Sequence, residues 1–101
     1  MARHRVANRA EIPDGSTRRI LIDGVEMLLC NAGGNIYAIE DICTHDGGPL
    51  DQGTLEGQTV VCPRHGATFD VRTGEALTLP AVIPLMTFPV TVEGDDVYVE
   101  A

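Results

Sequence analysis

An all-β fold with one inserted lobe is what this sequence predicts, and three observations predict it. Short runs of β-branched and aliphatic residues recur between turn signals. No segment sustains a 3.6-residue hydrophobic period. The middle of the chain, about residues 42–71, is rich in Gly and Pro and interrupts the strand pattern. The 101 residues suffice for a single domain, 1–101, with a modest core.

The first hairpin is read from residues 18–22 and 25–30, joined by Asp23-Gly24. An Asp-Gly pair between two such runs suits a two-residue turn with positive φ. Ala32-Gly33-Gly34-Asn35 then turns into a short strand over residues 36–39. Within the middle section only Thr59-Val60-Val61 and Thr68-Phe69-Asp70-Val71 read as strands. Residues 87–93 and 97–100 flank Gly94-Asp95-Asp96 as a second hairpin. There Val90 and Val92 alternate with Thr91 and Glu93, and Val97 and Val99 with Tyr98 and Glu100, the pattern of strands with one buried face. Internal repeats and low-complexity tails are absent from the sequence.

The net charge is −8, and every one of the seven cationic side chains is arginine. That balance excludes nucleic acid as a partner. It suits either simple solubility or docking to a basic partner surface. No apolar run reaches the length of a membrane span, and Met1-Ala2-Arg3-His4-Arg5 lacks the apolar stretch of a secretory signal. A soluble, cytoplasmic, monomeric protein without a membrane partner is the expectation. Three cysteines are too few for a disulfide scaffold. Cys30, in Met27-Leu28-Leu29-Cys30, reads as a small buried hydrophobe. His4 reads as a surface residue of the first segment.

The remaining cysteines and histidines form two pairs. Cys43-Thr44-His45 is followed, after sixteen residues, by Cys62-Pro63-Arg64-His65. Thiolate and imidazole suit zinc and iron–sulfur centres alike, so ligand identity does not decide between them. The distribution is more telling. Zinc fingers group a Cys pair and then a His pair, whereas here each loop supplies one of each. A dinuclear iron–sulfur cluster accounts for that arrangement: one iron takes Cys43 and Cys62, the other takes His45 and His65. Gly47, Gly48 and Gly66 stand beside these ligands, where a loop wrapped around a cluster needs permissive backbone. With two neutral imidazoles the oxidised centre is formally neutral, which eases reduction relative to an all-Cys centre. A ring nitrogen that stays protonated on each histidine would couple reduction to proton binding at alkaline pH. A structural zinc-binding module is the rival reading of the same four side chains.

The two segments Cys43-Thr44-His45-Asp46-Gly47-Gly48-Pro49-Leu50 and Cys62-Pro63-Arg64-His65-Gly66-Ala67-Thr68-Phe69-Asp70 resemble those of Rieske [2Fe–2S] ferredoxins. The likeness continues through Thr73-Gly74, residues 80–84 and Thr87-Phe88-Pro89-Val90, and so covers nearly the whole chain. The resemblance implies stacked antiparallel sheets with a cluster-binding lobe. One [2Fe–2S] cluster would sit at the tip, on Cys43, His45, Cys62 and His65, with residues 80–84 covering it. Within the family the chain resembles the ferredoxin component of bacterial aromatic-ring-hydroxylating dioxygenases. The implied role is one-electron transfer, not catalysis, from an NAD(P)H-dependent flavoprotein reductase to a terminal oxygenase. An accessory subunit of a nitrite reductase is the other possibility within the fold. A Rieske domain severed from a larger oxygenase is a further one, against which the closing hairpin argues.

Departures from the quinol-oxidising branch matter for the potential. In that branch a disulfide joins the two loops; the corresponding positions here are Gly48 and Arg64. Its Ser and Tyr hydroxyls, which bond to cluster sulfurs, correspond to Ala67 and Phe69. Fewer hydrogen bonds to sulfur leave the reduced cluster less stabilised, so a potential near the low end of the Rieske range, roughly −150 to +300 mV, is expected. Arg64 reads either as a solvated loop-tip arginine or as a positive charge beside the cluster.

Overall fold

The computed structural model describes residues 2–44, 47–64, 66–79 and 81–101. These form three antiparallel sheets with no α-helix among them. No helix is long and apolar enough to cross a membrane.

The central sheet has the order β2-β3-β4-β9, from β2 (Thr17–Ile22), β3 (Val25–Ala32), β4 (Asn35–Glu40) and β9 (Thr87–Phe88). The predicted first hairpin is there, with Ile22 opposite Val25. Asp23 and Gly24 take φ of 50° and 81°, the left-handed pair that a two-residue turn between right-twisted strands demands. β3 is buried from Met27 to Ala32 because both faces of this sheet are covered. Leu28, Cys30 and Ala32 join one core cluster, and Met27 and Leu29 join another. A strand buried on two sides reads as a continuous apolar run, not an alternating one.

The first outer layer is the sheet β1-β11-β10, from β1 (Arg3–Asn8), β10 (Val90–Glu93) and β11 (Asp96–Glu100). Val97 and Val99 of β11 and Ala7 of β1 pack onto the face of the central sheet that carries Met27, Leu29, Ile36 and Ala38. The second outer layer is the lobe sheet β5-β6-β7-β8, from β5 (Thr54–Glu56), β6 (Thr59–Val61), β7 (Thr68–Asp70) and β8 (Ala76–Thr78). Val60 and Phe69 face Leu28, Cys30 and Ile39 across the other core.

Residues 87–93, expected as one strand, are two. Pro89 has no N–H to give a ladder. The chain changes sheets there: Phe88 pairs with Ala38 of β4, and Val90 pairs with Val99 of β11. The Pro89 carbonyl still accepts a bond from the Glu100 N–H at 3.0 Å. β1, β5 and β8 were not foreseen. The lobe sheet accordingly runs to Thr78, beyond the residue 71 at which the sequence pattern ended.

Candidate metal centre

Cys43 and Cys62 are both fully buried and neither is in a disulfide; they lie in the core between the central sheet and the lobe. Cys43 follows β4 by three residues, and Cys62 lies between β6 and β7. The backbone closes the two loops in the same way. The Cys43 N–H donates to the Gly48 carbonyl and the Cys43 carbonyl accepts from the Gly47 N–H, each at 2.7 Å. The Cys62 N–H donates to the Ala67 carbonyl at 2.8 Å, and the Cys62 carbonyl accepts from the Gly66 N–H at 3.0 Å. Both loops therefore bond from cysteine to the fourth and fifth residues beyond it. Gly47 and Gly66 occupy the equivalent fourth position with φ of 75° and 73°, a region that a side-chain-bearing residue enters at a cost of about 1–2 kcal/mol. The sequence carries His45 two residues after its cysteine and His65 three after its own. Both histidines, with Met1, Asp46 and Pro80, lie outside the described residues.

Other groups fix the rim. Asp41, fully buried at the head of the first loop, accepts the N–H groups of Leu50 and Asp51 on Oδ1 at 2.8 and 2.9 Å. Its Oδ2 lies 3.4 Å from Arg19 Nε. Burial pushes the Asp41 carboxyl above the usual carboxylate range, against the two N–H bonds and Arg19. Thr44 donates its hydroxyl to the Ile83 carbonyl at 2.6 Å, tying the first loop to residues 81–86. That segment lies on the core through Ala81 and Leu85 and turns Val82, Ile83 and Met86 outward. The sequence reading did not single out Asp41. It is one acidic residue among fifteen, and only the fold shows both loop ends converging on it.

Three other residues behave as follows. Cys30 is buried as expected, and burial, with the Asp41 charge behind it, pushes its thiol up to about 12. His4 is half-buried in β1, 4.0 Å from Asp23, in the terminal sheet and not on either cysteine loop. Arg64 is exposed, yet its guanidinium lies against Gly48 of the other loop.

A model of the Rieske [2Fe–2S] domain matches residues 2–89. The chain belongs to this family. It is 46% identical over 92 residues to the 3-phenylpropionate/cinnamic acid dioxygenase ferredoxin subunit of Escherichia coli K12, covering 90% of this chain and 86% of the relative. The ferredoxin of carbazole 1,9a-dioxygenase from Nocardioides aromaticivorans IC177 superposes with a TM-score of 0.93 at 33% identity, covering 98% of this chain and 97% of that one. A complex of reduced oxygenase and oxidized ferredoxin in carbazole 1,9a-dioxygenase contains a chain that superposes at 0.91 with 36% identity, covering 96% of this chain and 91% of that one.

The Rieske cofactor is one [2Fe–2S] cluster, and such ferredoxins transfer electrons without being catalysts. The residues present fit that group. Two unbridged thiols stand in one core on equivalent loops, and thiolates are the donors an iron–sulfur cluster requires. Among the described residues no group of three or more His, Cys, Asp or Glu side chains is placed to hold a metal ion. Family membership sets aside the zinc module.

Proposed function

We propose that this chain is a single Rieske domain, residues 1–101, that carries one electron at a time from an NAD(P)H-dependent flavoprotein reductase to the terminal oxygenase of an aromatic-ring-hydroxylating system. Cys43 and Cys62 would hold one iron, and His45 and His65 the other. The observation that carries this reading is the pair of equivalent loops, which bring the two cysteines of separate motifs into one core. The named relatives, ferredoxins of dioxygenases that act on aromatic compounds, support the partner assignment.

The cluster supplies a reversible one-electron couple, and the protein sets its potential and access. Ala67 and Phe69 are fully buried and bring no hydroxyl to the site. The nearby threonines are committed to protein partners. Thr44 bonds the Ile83 carbonyl, and the Thr68 and Thr78 hydroxyls bond each other at 2.8 Å. With few hydroxyls to stabilise added charge, the potential falls near the low end of the Rieske range, about −150 mV. The outward Val82, Ile83 and Met86, beside the first loop, offer an uncharged surface for a partner's approach.

An anaerobic redox titration followed by EPR tests the reading. A low potential, with a reduced signal characteristic of mixed Cys/His ligation, is the expected result. A potential well above 0 mV, on the order of +300 mV, contradicts it and returns quinol-linked chemistry. His65→Ala is expected to lose or sharply alter the cluster spectrum, whereas His4→Ala leaves it unchanged. A wild-type spectrum in His65→Ala removes the ligand assignment.

A further inference from the structure

The four backbone hydrogen bonds described above, from Cys43 to Gly47 and Gly48 and from Cys62 to Gly66 and Ala67, each lie within one loop. The side chain of Arg64 crosses between the two loops. A Cβ on Gly48 would lie 2.5 Å from the Arg64 guanidinium carbon and 2.7 Å from Nε and Nη2. The flat guanidinium is thus packed on the Gly48 backbone, in space that any side chain would fill. Gly48 is not among the glycines with positive φ, so this contact, and not the backbone conformation, is what calls for glycine there.

The two ends of the contact have defined places. Gly48 is the residue whose carbonyl closes the first loop on the Cys43 N–H. Arg64 lies inside the second loop, two residues beyond Cys62. A guanidinium is suited to such a place, because it is planar and lies flat on a peptide unit, whereas a lysine ammonium is a point charge on a flexible stem.

We propose that Arg64 is a positioning residue. Its guanidinium straps the closing residue of the first ligand loop to the second loop, fixes the spacing of the two cysteines and thereby retains the cluster. The inference rests on the ligand assignment made above. Charge alone does not perform this role; the planar contact with Gly48 does.

The test uses holoprotein of the wild type, Arg64→Ala, Arg64→Lys, Gly48→Ala and the Arg64→Ala/Gly48→Ala double variant, with Arg3→Ala as a control in the terminal sheet. Loss of the cluster's visible absorbance in excess chelator gives the release rate. The reduced-state EPR spectrum reports the cluster's immediate geometry. Arg64→Ala is expected to release the cluster about fivefold faster, equivalent to about 1 kcal/mol, and to shift the EPR signal. Gly48→Ala displaces only the end of a flexible side chain and is expected to do the same. The double variant is then no faster than either single one, because both remove one contact. Arg64→Lys stays close to Arg64→Ala, and Arg3→Ala matches the wild type. Wild-type release in Arg64→Ala, restoration by lysine, additive single effects or equal acceleration by Arg3→Ala each overturns the proposal. Failure of the ligand assignment is scored separately, by the His65→Ala spectrum.

Discussion

Cys30 shares one core with Cys43 and Cys62, and the ligand role proposed for those two would give Cys30 the opposite chemical fate. A thiol raised to about 12 stays protonated at neutral pH and is a poor nucleophile there. Because the folded-state value lies above the ordinary value near 9, the stability associated with burying the thiol is complete below about pH 9. It is lost as pH rises from there towards 12, since the unfolded chain ionises first. Cys30→Ala is expected to cost about 1–2 kcal/mol at pH 7 and to keep the cluster spectrum. The difference from wild type should narrow above about pH 9, which denaturant unfolding at pH 7 and pH 10 measures. Loss of the cluster in this variant would make Cys30 part of the site. At this scale the sequence was informative where chemistry fixes residue type. It was silent on Asp41 and on the Arg64–Gly48 contact, because neither the burial of one carboxylate nor the course of one flexible side chain leaves a periodic mark.

The two cysteine loops are one turn used twice, although the sequence holds no repeat. The shared features are two backbone bonds and a glycine of positive φ at the fourth position after cysteine. Gly47→Ala and Gly66→Ala should each destabilise the loop by about 1–2 kcal/mol and lower the fraction of protein recovered with cluster, measured as iron per chain. An unchanged iron content in both variants would show that the turn tolerates a Cβ. The same scale explains which strands were legible. β2 and β3 announce themselves through an Asp-Gly turn, and β10 and β11 through alternation. β1 does not, because Arg3, His4 and Arg5 leave only Val6 and Ala7 as apolar signal, and a bulge between Arg5 and Ala7 breaks what period there is. β5 and β8 are no shorter than β6 and β7, but each carries a single β-branched residue, Thr54 and Thr78, and no aromatic one, so neither reads as a strand. The division at Pro89 depends on two neighbouring sheets, each offering a partner, which the order of residues alone does not reveal.

The whole molecule distributes its charge unevenly. The formal charge is −8, yet residues 76–92 contain no charged side chain. The uncharged stretch includes the outward Leu79, Val82, Ile83 and Met86, of which Leu79 is 78% exposed and Val82 73%. With the docking surface proposed above, long-range attraction and short-range contact would be carried by different surfaces. The rate at which a basic reductase or oxygenase exchanges electrons with this protein should fall as ionic strength rises, because salt screens the net field. Stopped-flow kinetics between about 10 and 200 mM salt would show this, and a rate indifferent to salt would mean that the acidic surface serves solubility only.

β3 is a wall between two rooms. Consecutive residues along it furnish opposite sides: Met27 and Leu29 one, Leu28 and Cys30 the other. The room with the cysteines is the one that the proposed cluster would commit to a guest, while the opposite room holds no cysteine. Sequence drift in such a protein has a grain. The side away from the cysteines is free to be refurnished with other apolar shapes, provided the partition stays straight, while the cysteine side is held by what it must contain.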